Sequence, residues 1–138
     1  MLFRSNRELL SRSDLEFRLG LTLETPTILV IYHPVTIARD TLEEAGAVFA
    51  ALARLNSQIL FCYPNADAGS RELIEKTKDF LSTRPNGRLF TNLDAVTYLS
   101  LLGEVDVLVG NSSSGIMEAA SFSLPVVDIG RRDRKSVV

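Results

Sequence analysis

The chemistry this sequence could do concentrates in one turn and two side chains near it. The turn, Gly110-Asn111-Ser112-Ser113-Ser114-Gly115, follows the apolar run Val105-Asp106-Val107-Leu108-Val109 and leads directly into Ile116-Met117-Glu118. A helix that starts there leaves backbone N–H groups without intrahelical partners and carries the positive end of the macrodipole, so an anion such as phosphate finds donors and a favourable field. The serine hydroxyls add further donors. Glu118 lies about five helical residues after Ser113, roughly 7 Å along the axis, where a carboxylate could accept hydrogen bonds from sugar hydroxyls next to that phosphate. Phosphate donors followed by a carboxylate suggest a nucleotide. The same turn would also serve a plain helix cap, with Ser113 or Ser114 as the capping residue. The second side chain is His33, the only histidine, which stands directly before Pro34. A residue before proline is pushed toward extended backbone, so His33 prolongs its strand and presents a ring able to donate to a phosphate or move a proton.

Positioning these groups requires a sheet whose strand ends share one rim. Apolar β-branched runs alternate with segments of helical period, the pattern of a parallel sheet with helices on its faces. The expected class is α/β. Ser13 with Glu16 reads as a capping box that opens a short helix ending at Gly20. Thr27 to Tyr32 is a continuous apolar run, as in a strand covered on both faces. Asp40 with Glu43 opens a helix with the stripe Leu42, Ala45, Phe49, Leu52 and Leu55. Gln58 to Tyr63 is the second strand, 70–82 a helix, Arg84-Pro85-Asn86-Gly87 a turn, and Arg88 to Phe90 a short strand. Leu93, Val96, Leu99 and Leu102 mark another helix. Val105 to Val109, 116–122 and 125–129 then read as strand, helix and strand. Ligands of open α/β sheets bind beyond the carboxyl ends of the strands, which places the loops after Tyr32, Tyr63 and Val109 on one rim. Asn65 in the second loop would face the same cleft as His33. Asp67 or Ser70 caps the helix that follows.

Composition bounds the partners. A 138-residue chain with 46% hydrophobic residues fits one domain, and a net charge of -2 gives no general pull toward nucleic acid or anionic membranes. The basic run Arg131-Arg132-Asp133-Arg134-Lys135 reads as a solvated tail. Cys62 is the only cysteine and sits in an apolar strand, so neither an intrachain disulfide nor a metal site is expected. No apolar segment approaches the roughly 20 residues that span a bilayer, and the start lacks a signal-peptide core. The chain reads as soluble and cytoplasmic.

Three linked motifs resemble a known family. Tyr32-His33-Pro34-Val35-Thr36, Tyr63-Pro64-Asn65-Ala66-Asp67-Ala68-Gly69-Ser70 and Gly110 to Ala119 resemble, in order and spacing, the carboxyl-terminal half of UDP-N-acetylglucosamine 2-epimerases. The resemblance runs from about Ser11 to Arg132. It points to the hydrolysing branch, which forms N-acetylmannosamine for sialic-acid synthesis. The non-hydrolysing branch carries an aspartate-serine-double-glycine loop where this chain has Asn111-Ser112-Ser113-Ser114-Gly115. The resemblance implies a Rossmann-like three-layer domain with about five parallel strands, one half of a GT-B-like two-domain enzyme. Residues 1–138 would then form a single UDP-binding domain without the amino-terminal half, and so would be inactive alone.

Carried over motif by motif, Ser112 and Ser113 would bind the diphosphate, Glu118 the ribose, and His33 and Asn65 the diphosphate and sugar side. His33 would be the catalytic residue of this half. The counterpart of Tyr98 lies near the uracil, although the helix stripe equally allows packing. Arg132 matches a basic residue of the phosphate region. The implied partners are UDP or UDP-N-acetylglucosamine, the missing half and a further copy in a homo-oligomer, with no cofactor. In the implied reaction UDP is eliminated to leave a 2-acetamidoglucal, and water then adds. The family's acid and base carboxylates lie mainly in the amino-terminal half. Two positions depart from the family: residues 131–135 replace a glycine-containing basic segment, and Asp128 stands where asparagine is common. A GT-B glycosyltransferase half and a non-catalytic UDP-binding module are the alternative readings.

Overall fold

The structure, a computed structural model, describes residues 8–31, 38–63, 71–110 and 113–129. Ten elements alternate along it: α1 (Arg12–Leu19), β1 (Thr27–Ile31), α2 (Ala38–Ala53), β2 (Gln58–Tyr63), α3 (Arg71–Leu81), β3 (Arg88–Thr91), α4 (Ala95–Leu102), β4 (Val107–Gly110), α5 (Ser113–Ser121) and β5 (Val126–Asp128). The strands form one sheet in the order β3-β2-β1-β4-β5, and every pairing is parallel. This is the α/β class expected from the alternating pattern.

Side chains of period two send alternate residues of each strand to opposite faces. Leu29 and Ile31 of β1, with Leu60 and Cys62 of β2 and Leu108 of β4, pack with α1, α4 and α5 through Leu15, Leu99, Leu101, Leu102 and Ala119. Ile28 and Val30, with Ile59, Phe61, Tyr63 and Val109, pack with α2 and α3 through Leu52, Leu73 and Ile74. Burial on both faces is why β1 and β2 read as unbroken apolar runs rather than alternating ones. Phe61 gathers an aromatic cluster on the second face, with Phe49 and Phe80 rings both 5.8 Å away between centroids.

Several boundaries differ from the sequence reading for local reasons. The α1 cap is Ser11, whose hydroxyl accepts the Asp14 N–H at 3.2 Å, rather than Ser13. Glu16, the other expected member of that capping box, instead accepts the Leu23 N–H at 2.8 Å and ties the chain after the helix back onto it. Gly20 ends α1 at φ 74°, the left-handed turn that favours glycine. The second helix starts at Ala38, before Asp40. Leu55 lies beyond its end and is exposed. Leu93 precedes α4, whose cap is Asp94. The fourth strand runs from Val107 to Gly110 because Asp106 turns its carboxylate to the Thr27 N–H at 2.8 Å, leaving Val105 as a buried plug before the strand. The last helix starts at Ser113, earlier than the apolar residues alone suggest.

Candidate functional site

At the carboxyl rim the strands deliver their loops side by side. Ile31, the last residue of β1, pairs in register with Gly110, the last of β4. The two strands approach so closely there that a Cβ on Gly110 would collide with the Ile31 carbonyl, which explains why glycine opens the serine turn. The Gly110 carbonyl also accepts the Ile129 N–H at 2.8 Å, joining β5 to the same corner. The helix after β1 covers one face of the sheet and the helix after β4 covers the other. That reversal between β1 and β4 is the topological switch point, where open α/β sheets hold their ligands. Residues 111–112 separate Gly110 from the start of α5, so the amino end of that helix opens at the switch point.

Of the residues singled out from the sequence, His33, Asn65, Ser112 and Arg132 lie outside the described residues, as do the proposed caps Asp67 and Ser70. Ser113 is the first residue of α5. Tyr98 and Glu118 are both described, and the fold brings the Tyr98 phenol near the Glu118 carboxylate. Burial first, and then the negative charge and hydrogen bond of Glu118, push the phenol's ionisation well above its ordinary value. It is therefore protonated at neutral pH. The ring itself rests against the core of the α4 face. Sequence reading named both residues but missed their proximity, because nothing local links a residue on α4 to one on α5.

Two neighbours are chemically quiet. Burial raises the Cys62 thiol to about 11, so the thiolate a nucleophile needs is scarce at neutral pH. Tyr63, at the end of β2, is raised to about 12, mainly by burial. Its hydroxyl lies 2.7 Å from Thr77 Oγ1, whose own proton goes to the Leu73 carbonyl at 2.9 Å, so Tyr63 donates inward and takes no part in the rim. Asp128, at the end of β5, is exposed. Among the described residues no group of three or more His, Cys, Asp or Glu could hold a metal ion, and no helix is long and apolar enough to cross a membrane.

A doubly wound parallel sheet whose glycine-opened turn feeds a helix amino terminus at the switch point defines a Rossmann-like α/β domain built to present donors at its carboxyl rim. Comparison with known proteins narrows this class. The family profile described as UDP-N-acetylglucosamine 2-epimerase matches residues 4–138, and the chain belongs to that family. A UDP-N,N'-diacetylbacillosamine 2-epimerase (hydrolyzing) of Legionella pneumophila is 36% identical over 83% of the chain and 30% of its own length. A GDP/UDP-N,N'-diacetylbacillosamine 2-epimerase (hydrolyzing) of Campylobacter jejuni is 33% identical over 94% of the chain and 34% of its own length. The chain thus spans about a third of these relatives. Among solved structures, the S. aureus MnaA-UDP co-structure aligns with a TM-score of 0.66 at 18% identity over 98% of this chain and 36% of that one. A putative UDP-N-acetylglucosamine 2-epimerase of Listeria monocytogenes aligns at 0.64, with 21% identity over 95% of this chain and 34% of its own. At these identities the two structures bear on the fold alone.

Proposed function

We propose that this chain is the UDP-binding, carboxyl-terminal domain of a hydrolysing 2-epimerase acting on a UDP-linked 2-acetamido sugar, with residues 1–138 as one unit. The observation that carries the reading is that the amino terminus of α5 opens at the β1/β4 switch point, with Glu118 five residues further along the same helix. The first would hold a diphosphate and the second a ribose. Ser112 and Ser113, with the free N–H groups of the first turn of α5, bind the diphosphate. Glu118 accepts hydrogen bonds from the ribose hydroxyls. His33, on the loop after β1, and Asn65, on the loop after β2, face the diphosphate and sugar from the adjacent strands, and Arg132 adds charge to the phosphate region. The ring of Tyr98 borders the uracil.

In this reading the domain stabilises a leaving group. As the bond from the sugar C1 to the diphosphate oxygen breaks, UDP departs with the electron pair, and donors already aimed at that oxygen lower the barrier without having to reorganise. His33, as imidazolium, donates to the departing diphosphate. The carboxylates that move the sugar protons belong to an amino-terminal half, so this domain alone binds without turning over. The glucal left behind takes up water and yields the 2-epimer; with UDP-N-acetylglucosamine as substrate this is N-acetylmannosamine, a precursor for sialic acid. The enzyme is cytoplasmic on this reading. Relatives named for hydrolysing epimerases, and the serine loop in place of an aspartate-serine-double-glycine one, support the hydrolysing branch over a glycosyltransferase half.

An NMR titration of the chain with UDP, uridine and UMP tests this. Shifts concentrated at Gly110 to Glu118 and around His33, weakening in the order UDP, UMP, uridine, are expected. Silence at millimolar UDP, or equal response to uridine, would overturn the diphosphate assignment.

A further inference from the structure

We propose that Asn86 is a spontaneous modification site: the Asn86-Gly87 step deamidates when its turn opens, and the folded amino end of the sheet holds that turn shut. The chain contains one Asn-Gly step, and it completes the turn Arg84-Pro85-Asn86-Gly87 that leads into β3. Deamidation needs no enzyme, only water. The Gly87 nitrogen gives its proton to solvent and attacks Asn86 Cγ; the new C–N bond closes a succinimide ring while the Cγ–Nδ2 bond breaks, and the nitrogen leaves as ammonia after taking up a proton. Water then opens the ring at either carbonyl and leaves aspartate or isoaspartate. Glycine makes such a step fast, because no Cβ obstructs the approach of its nitrogen.

The fold asks for both residues on grounds of its own. Gly87 is buried, and a Cβ there would stand 2.6 Å from Leu81 Cδ2 and 2.9 Å from the Ile59 carbonyl oxygen. The second of these is backbone of β2 and cannot give way, so only glycine fits. Asn86 Nδ2 donates to Glu24 Oε1 at 2.9 Å and joins the turn to the segment that enters β1. The labile step is thus a by-product of two packing demands, and substitution at either position gives up one of them.

The same contacts restrain the reaction. The Gly87 N–H donates to the Arg84 carbonyl at 3.0 Å, so the proton that the nucleophile must lose is engaged inside the turn. The Asn86 carbonyl accepts Gln58 Nε2 at 2.9 Å, and the Oε1 of that same amide accepts the Glu24 N–H at 2.8 Å. One buried side chain therefore fixes the backbone of both Asn86 and Glu24. Ring closure builds negative charge on the Asn86 side-chain oxygen, which the Glu24 carboxylate beside it opposes. Cyclisation has to wait for local opening of the turn. The product is a different neighbour: a carboxylate at position 86 would face Glu24 as a like charge, and isoaspartate would lengthen the backbone by a methylene and draw its carbonyl off Gln58. Deamidation is an irreversible mark that loosens the amino end of the sheet and leaves the carboxyl rim in place.

The test follows deamidation of the full chain by peptide mapping and mass spectrometry during incubation at mildly alkaline pH, in native buffer and in denaturing guanidinium chloride. In the denatured chain Asn86 should convert fastest of the asparagines, and in the native chain it should convert roughly tenfold more slowly or less. A denatured chain in which Asn86 is not the fastest, or equal rates in the two conditions, overturns the proposal, and this comparison needs no variant. Glu24→Ala keeps the Glu24 backbone bonds and removes only the carboxylate, so it should raise the native rate roughly three- to tenfold and leave the denatured rate unchanged. Asp94→Ala, which loosens the cap of α4 away from this turn, should raise the native rate less. A Glu24→Ala rate no faster than that of the unsubstituted chain or of Asp94→Ala overturns the restraint by Glu24. The deamidated fraction, separated by ion exchange, should melt below the intact chain; equal melting temperatures would overturn the loosening.

Discussion

The two rims of the sheet use polar side chains in opposite ways. At the amino rim, Gln58 is 1% exposed and every hydrogen-bonding position of its amide is taken. Its Nε2 donates to the Thr22 and Asn86 carbonyls at 3.0 and 2.9 Å, and its Oε1 accepts the Glu24 N–H and the Thr27 hydroxyl, each at 2.8 Å. The Thr27 hydroxyl also reaches the Glu24 carbonyl. Arg84 closes the same end by donating to the Leu55 and Ser57 carbonyls at 2.6 and 3.0 Å. The Gln58 amide is fully used within the protein, three of its four bonds going to backbone, and the Arg84 guanidinium spends one nitrogen on two carbonyls. At the carboxyl rim, Glu118 on α5 is partly exposed, with the Tyr98 phenol near it. A satisfied polar group stabilises the fold, whereas one with spare capacity beside a helix amino terminus is available for recognition.

That contrast can be strained at several points. The largest effect is expected where the carboxyl rim turns on backbone contact instead of side-chain chemistry. Gly110→Ala would drive a methyl group into the Ile31 carbonyl, and parting β1 from β4 should cost about 4 kcal/mol of unfolding free energy in urea titrations. A near-neutral result would mean that the two strands separate easily at this corner. Gln58→Leu leaves two carbonyls and one N–H without this partner at the amino rim, while the Thr27 hydroxyl keeps the Glu24 carbonyl. It should lower stability by about 3 kcal/mol. The same variant should leave UDP affinity within about twofold, since its site lies at the other end of the strands.

Glu118→Ala reverses the pattern, with UDP binding expected to weaken roughly tenfold by calorimetry and little change in melting temperature. A drop in melting temperature comparable with that of Gln58→Leu would place Glu118 with the structural residues and erase the contrast. The smallest effect concerns Asp94. The Thr97 hydroxyl first, and then the Thr97 N–H, hold its carboxyl below the ordinary range. A carboxylate whose folded pKa is depressed adds stability above its unfolded pKa and loses it as pH falls through the folded one. Melting temperature should therefore decline more steeply in the native chain than in Asp94→Asn as pH drops below ~4. Parallel curves would show that the cap contributes nothing measurable.

Much of the architecture was legible because it is written in period and chain-breaking residues. The runs Thr27–Ile31 and Gln58–Tyr63 announce strands buried on both faces, and Gly20 announces the end of α1. The serine turn was legible as a helix start, although the helix begins at Ser113 rather than at the first apolar residue. Choosing between Ser11 and Ser13 as the cap was not legible, since either hydroxyl precedes a helical stretch. The helix starts at Arg12, which puts Ser13 inside it, and Glu16 bonds to the Leu23 N–H. Gln58 read only as the polar start of a strand. Its four bonds come from segments on both sides of it in sequence, and they exist only once β1, β2 and the Asn86 turn have converged.

By itself, the amino-acid sequence determined which segments become strands and helices, that the sheet is parallel, and that a helix starts at the serine turn, because hydrophobic period, capping and glycine act over a few residues. Tertiary structure alone decided that β4 lies against β1, which sets Gly110 on Ile31 and creates the switch point. It also decided that a phenol on α4 comes near a carboxylate on α5. Such pairings depend on which apolar faces pack together across the sheet, and that is a property of the whole chain's burial rather than of any one stretch.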